Sequence, residues 1–356
     1  MHLDKARFPT DYSRYIKKKV LFIIAGLFLL LCVALLSLCF GSVTVPFIDL
    51  LKSLFNLHTE EKWNTIIFNI RLPRMLTALF AGMGLSICGV VMQSILRNPI
   101  GSPFTLGISQ AAAFGAALSV MVLGTGVMRS TGASAITITH PYLTTVSAFL
   151  LCLLTTGVLI GISKTKRASP EVMVLTGIAL GSLFSALTMF LQFFADDIQL
   201  AAIVFWTFGD VGRTNWQELF IIMIVVSLSL FFFINERWKY NALDAGNETA
   251  QSLGVHVERV RIIGMVIASL VTSVIIAFIG IIGFIGLVCP HIVRRIIGDD
   301  HRFLIPGACI TGGIILVAAD TAARLIMIPH VFPVAILTSF LGVPVFIYLI
   351  IKGYRR

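Results

Sequence analysis

Residues 262–293 read IIGMVIASLVTSVIIAFIGIIGFIGLVCPHIV, a run without one charged side chain. At 1.5 Å per residue a straight helix of that length would reach about 48 Å, well beyond the roughly 30 Å of hydrocarbon in a bilayer. The run must therefore break. Gly280, Gly283 and Gly286 permit unusual backbone angles and close approach, and Pro290 lacks a backbone donor. These four residues are the candidates for hinge or packing positions. The reading is a helix that ends near Gly280, a turn, and a shorter returning segment over 281–297. Broken helices at membrane depth line protein or a cavity rather than lipid.

The surrounding chain is of the same kind. Of its 356 residues 57% are hydrophobic and 12% charged, where soluble domains carry about a quarter charged. A mean hydropathy of +0.96 leaves no room for a sizeable soluble domain. Charge-poor runs long enough to cross a bilayer occupy 20–40, 75–96, 104–124, 142–163, 172–195, 219–235, 262–279, 281–297, 303–323 and 331–351. The expected fold class is thus all-α, a polytopic membrane helix bundle of about ten transmembrane helices. Residues 1–19 form a basic cytoplasmic tail and 20–356 a single transmembrane domain. The run over 20–40 is too long for the core of a signal peptide, and no small-residue cleavage site follows it.

With the N-terminus inside, only Lys52, Lys62, Arg71, Arg74, Arg129, Arg213 and Arg324 of the 27 basic residues face outward. That bias predicts an even number of crossings and two cytoplasmic termini. The formal charge of +10 is spread between apolar runs rather than gathered with aromatics on a soluble face, which argues against nucleic acid. The six cysteines lie inside apolar runs without metal-ligand spacing and read as reduced, buried side chains.

Catalytic signatures are lacking: there is no GxxxxGK[ST], HExxH or GxSxG. The chain is read as no enzyme, with no metal and no cofactor. His140, His291 and Asp320 are expected at different depths and cannot converge. Asp320 is the one acid well inside a span, and an i,i+4 ion pair with Arg324 accounts for it; an ion-coupled carrier would bury more acids. Arg71 and Arg74 sit at a helix N-terminus, where the macrodipole disfavours cations, so something acidic should compensate them. A lipid headgroup, a loop contact or an acidic external partner would serve. The longest cytoplasmic loop, 236–261, holds a segment at about 242–256 in which Asn247 caps a short helix, Ala250 and Leu253 share a face, and Gly254 ends it. Such a helix is too short to persist undocked. Gln93, Ser94 and Gln192 face either a wet path or an interhelical hydrogen bond.

Several motifs then accumulate in order: RLPR at 71–74, GVVMQ at 89–93 with RNP at 97–99, LGIS at 106–109, WTFG at 206–209, GFIGLVCPH at 283–291, DHR at 300–302, ADTAAR at 319–324 and GVPVF at 342–346. In these the chain resembles the FecCD-type permeases of type II ABC importers, which handle iron-siderophore complexes, haem and cobalamin. The resemblance implies a bacterial cytoplasmic (inner) membrane subunit. It pairs with a second permease copy or close relative, two cytoplasmic ATP-binding subunits and an extracytoplasmic substrate-binding protein. It further implies that Arg71, Arg74 and Arg324 receive acidic residues of the binding protein. The loop residues Leu243, Asp244, Ala245, Gly246, Asn247, Glu248, Ala250, Ser252, Leu253 and Gly254 would dock on the ATPase. Ferric siderophore is the first choice of cargo, with haem or cobalamin as alternatives.

Overall fold

The structure is a computed structural model that describes residues 10–55, 57, 60–128, 136–138, 141–163, 170–328 and 330–353. Helices lie in all ten expected spans, α1 (Thr10–Cys39), α4 (Leu72–Ile95), α5 (Ile108–Val122), α6 (Pro141–Ser163), α7 (Pro170–Phe194), α9 (Trp216–Asn235), α12 (Val257–Ile279), α13 (Ile285–Ile297), α14 (His301–Ile326) and α15 (Val334–Gly353), and among the described residues seven helices, those of α1, α4, α6, α7, α9, α12 and α14, are long and apolar enough to cross a membrane. Short helices fill the connections: α2 (Phe47–Leu54), α3 (Glu61–Asn64), α8 (Asp197–Thr207), α10 (Arg237–Asp244) and α11 (Asn247–Ser252). A small antiparallel pair, β1 (Gly126–Met128) with β2 (Ile136–Ile138), joins α5 to α6. Arg129 and His140 lie outside the described residues, as do residues 1–9. α1 begins at Thr10, within the stretch read as the tail.

The break in the decisive run falls at Gly280, which ends α12 with φ +81°. A Cβ there would come within 2.7 Å of the Trp206 carbonyl oxygen, so both the backbone angle and the space demand glycine. α8 was not legible as a helix from hydrophobicity, yet its start is locally encoded: Asp196 accepts from the Gln199 backbone N–H at 2.7 Å while Gln199 accepts from that of Asp196 at 3.2 Å.

α4 is the axis of the bundle. It is buried almost all round and packs on α14, α12, α13 and α9, whereas α1 lies on the periphery, packed on α14 along one face. Small residues set these approaches. A Cβ on Gly82 would strike the Gly312 carbonyl, and one on Gly89 the Gly286 carbonyl. Where lipid is as apolar as leucine, such backbone-to-backbone contact supplies the dispersion energy that holds helices together. Gly283 is different, since a Cβ there would meet only Ser339 Oγ at 3.8 Å; it is not a packing position.

Two stretches depart from helix inside the bundle. The span expected at 104–124 begins as a helix only at Ile108, and 101–107 runs into the interior without helix, burying Ser102 and Leu106. Residues 280–284 do the same between α12 and α13. Non-helical backbone at membrane depth is tolerated only against protein or a cavity. Here both stretches reach one groove of about 600 Å³, whose wall includes Phe104, Thr207, Phe284, Ser339, Phe340 and Pro344. Phe284 holds a left-handed backbone, φ +67°, which is costly for an aromatic residue.

Candidate functional site

At one end of the bundle the three predicted arginines come together, and each has partners within this chain. Arg74 donates from Nε to Asp320 Oδ1 at 2.9 Å and from Nη2 to Asp320 Oδ1 at 2.8 Å and Asp210 Oδ1 at 3.2 Å. Arg324 closes the expected i,i+4 pair, Nε to Asp320 Oδ2 at 3.1 Å. Asp320 is fully buried. The compensating acids are therefore Asp320 and Asp210 of this same chain, and Asp210 had no role in the sequence reading.

Arg71 is explained by another helix. It donates to the Leu38, Cys39 and Val43 carbonyls, while Arg324 adds the Ser37 carbonyl at 3.2 Å and that of Phe40 at 3.2 Å. The C-terminus of a helix presents unpaired carbonyls at the negative end of its macrodipole. The expected helix N-terminus is not there: the chain is helical without a break from Glu61 through a π-helical segment, Thr65–Arg71, into α4, so Arg71 opposes no N-terminal dipole and its charge is met by the end of α1. Arg213 treats α8 likewise, through the Phe205, Trp206 and Phe208 carbonyls. Burial draws its pKa down and Asp210 opposes that shift. Within this cluster four guanidinium groups meet two carboxylates, a local surplus of positive charge. Arg71 is buried, and the side chains of Arg74 and Arg324 are 14% and 10% exposed.

The opposite end carries the loop. Ala250 is fully buried, but Leu253 is 68% exposed, so the two do not share a face. The reason is the brevity of α11: Leu253 is already its C-cap, followed by Gly254 at φ +80°. Nor does Asn247 cap the helix. Gly246 takes that place, and Asn247 Oδ1 accepts from Arg261 Nη2 at 2.9 Å. Leu243 is buried; Asp244, Ala245, Glu248, Ser252 and Gly254 are exposed.

What fixes this loop to the bundle was missed in the sequence. His301, fully buried at the start of α14, places Nε2 2.9 Å from Asp244 Oδ2 and 3.0 Å from Ser94 Oγ of α4. Its backbone N–H donates to Asn241 Oδ1 at 2.8 Å, and Asn241 Nδ2 donates to Asp300 Oδ1 at 3.2 Å. Burial would raise the Asp300 carboxyl, but hydrogen bonds from Arg302 and Asn241 prevail and hold it at about 2. A displacement of α10 is thereby felt directly by α4 and α14. Gln93 Oε1 accepts from Arg294 Nη1 at 3.0 Å, so both Gln93 and Ser94 make interhelical bonds, although the Gln93 amide nitrogen is buried without a partner. Pro290 is buried within α13, and His291 of that helix lies against Phe346, far along the chain from the Asp320 cluster.

Comparison with known proteins places this geometry. Residues 29–352 match the FecCD transport family. A chain of Methanocaldococcus jannaschii, provisionally named an ABC transporter permease, is 50% identical over 98% of this chain and 99% of its own length. The hemin transport system permease of Yersinia pestis is 33% identical over 92% of this chain and 94% of its own. Relatives at 30–33% identity are named for molybdate, Fe(3+)-citrate, iron(3+)-hydroxamate and vitamin B12 import. Among solved structures, the inward-facing form of a provisionally assigned metal-chelate type ABC transporter superposes with a TM-score of 0.79 at 29% identity, covering 93% of this chain and 98% of that one. The chain belongs to the FecCD transport family and is a multi-pass permease of an ABC importer.

Proposed function

We propose that this permease carries a ferric siderophore inward across the cytoplasmic membrane, with its arginine cluster outside and both termini and the α10–α11 loop inside. The observation that carries this reading is the convergence of the two non-helical stretches, 101–107 and 280–284, on one largely apolar groove. Interruptions of this kind mark substrate paths in transporters, and an aromatic lining suits a bulky chelate better than a bare oxyanion. The names of several relatives, for ferric citrate, ferric hydroxamate and hemin, support the cargo class. Haem or cobalamin is the alternative.

In this proposal a second permease subunit faces the groove across the path, two ATP-binding subunits sit beneath the loops, and a substrate-binding protein docks outside. The surplus positive charge around Arg71, Arg74 and Arg324 steers an acidic docking face, whose carboxylates compete with Asp320 for Arg74 and Arg324. ATP binding moves the loop, and the Asp244–His301–Ser94 contact passes that motion to α4 and α14. No covalent step falls to this chain.

Reconstitution with the candidate ATPase and binding protein tests the whole. Uptake of labelled ferric siderophore is expected to require ATP and both partners, and Ser339→Trp, which fills the groove, abolishes it while the assembly still forms. Uptake without the ATPase, or undiminished uptake by the tryptophan variant, would overturn the reading. The loop has its own test. Leu253→Asp alters an exposed side chain and should change stability by no more than about 0.5 kcal/mol, yet co-purification of the ATPase should be lost. Normal recovery of the complex would remove Leu253 from the docking surface.

A further inference from the structure

The two non-helical stretches that line the groove also meet at the loop end of the bundle. The stretch 101–107 is reached from α4 through Arg97, Asn98 and Pro99, and the stretch 280–284 continues into α13, which carries Arg294. Between these inner ends lies a second cleft, of about 440 Å³, whose wall includes Gln93, Arg97, Asn98, Asp244, Arg294 and Asp299.

What stays unpaired in this cleft is a set of donors. Gln93 is 3% exposed, and its Nε2 is buried with no hydrogen-bond partner. Its Oε1 accepts from Arg294 Nη1 at 3.0 Å, so the amide cannot turn over without setting its own donors against a guanidinium. The Arg97 guanidinium makes no hydrogen bond or ion pair among the described residues. Both carboxylates of the wall are already engaged, Asp244 by His301 and Ser94, and Asp299 by Arg294 at 2.8 Å. Arg97 stands, moreover, where helices commonly end in glycine: it follows the C-cap Leu96 with φ +46°. That backbone is costly for an arginine, and glycine would escape the cost but bring no guanidinium.

A buried amide donor beside an unpaired guanidinium fits an oxyanion. The cleft shares Asp244 with α10, the start of the loop beneath which the ATP-binding subunits sit in the importer reading, and the inference rests on that reading. We propose that an aspartate or glutamate side chain of the ATP-binding subunit enters the cleft, accepts from Gln93 Nε2 and Arg97, and shares Arg294 with Asp299, whose side chain is 71% exposed. The carboxylate thereby ties together the inner ends of both stretches that line the groove, a second coupling point beside the α10–α11 loop.

For the test, the full permease in detergent is titrated with its candidate ATPase subunit, and the complex is treated with a carbodiimide, which joins an amine to a carboxyl group. Arg97→Lys keeps the charge and should bind as wild type does, cross-linking through position 97 to an aspartate or glutamate of the ATPase. Arg97→Gly should melt as wild type does, since glycine accepts the backbone angle, yet bind the ATPase about tenfold more weakly. Undiminished binding by Arg97→Gly would overturn the proposal, as would a normally bound Arg97→Lys complex without a cross-link at position 97. If Arg97→Gly melts lower, the cross-link still decides. A melting temperature of the permease alone that inorganic phosphate raises in wild type and not in Arg97→Gly would give the cleft to a free anion instead. Failure of the wild-type chain to bind the ATPase at all would refute the importer assembly itself, and the proposal with it.

Discussion

Asp320→Ala is expected to destabilise the folded chain by about 3–5 kcal/mol, the usual penalty for stripping a buried charge of its partner. The carboxylate is fully buried and accepts from Arg74 and Arg324 together. Removing it leaves two guanidinium groups facing each other across a vacated site, with Asp210 to serve only one of them. A domain's whole stability is about 5–15 kcal/mol, so thermal melting in detergent should fall by many degrees. Asp299→Ala is the control. That carboxylate also pairs with an arginine, Arg294 at 2.8 Å, but is 71% exposed, and exposed pairs contribute about 0–1 kcal/mol. If both variants melt alike, the cluster does not hold its end of the bundle together.

Gly89→Val should fare worse, preventing the chain from reaching a folded monomer. Overpacking a core costs about 1–3 kcal/mol when side chains can yield. At this position the obstacle is the Gly286 carbonyl, which belongs to the backbone of α13 and cannot rotate away. Relief requires α4 and α13 to separate, and that opens the Gly82–Gly312 contact on the neighbouring helix too. Gly161→Val in α6 should be tolerated within about 0.5 kcal/mol, because a Cβ there meets nothing within 4 Å. Size-exclusion profiles of the two variants distinguish these outcomes. A monodisperse Gly89→Val peak would show that the interface has slack.

These two sites also mark the limit of what the sequence discloses. Hydrophobic run lengths suffice to place a helix in each of the ten expected spans, and Gly280 announces its own break because no other residue accepts that backbone angle readily. Gly89 and Gly283 look alike as letters, yet one touches backbone and the other touches little, a difference made wholly by which helix arrives opposite. Arg71 and Arg74 are conspicuous in the sequence as cations at what reads as a helix start. Their answers were not readable, since carbonyl oxygens have no letter and Asp210 lies 136 residues from Arg74. His301 was present in the DHR motif, but its bond to Asp244 spans 57 residues and depends on how α10 docks. Leu253 was misplaced for a local reason, the early end of a six-residue helix.

The sealing of α1 has a meaning for how the chain is made. Its last carbonyls accept from Arg71, 32 residues downstream, and from Arg324, 284 residues away from Phe40. During synthesis the first helix enters the bilayer long before its second clamp exists. Unpaired carbonyls are poorly tolerated in hydrocarbon, so the Ser37 and Phe40 carbonyls need another donor, such as water, until α14 brings Arg324 to them. A chain halted before α14 holds the end of its first helix by Arg71 alone, and the seal is complete only when the last third of the sequence has folded back onto the first.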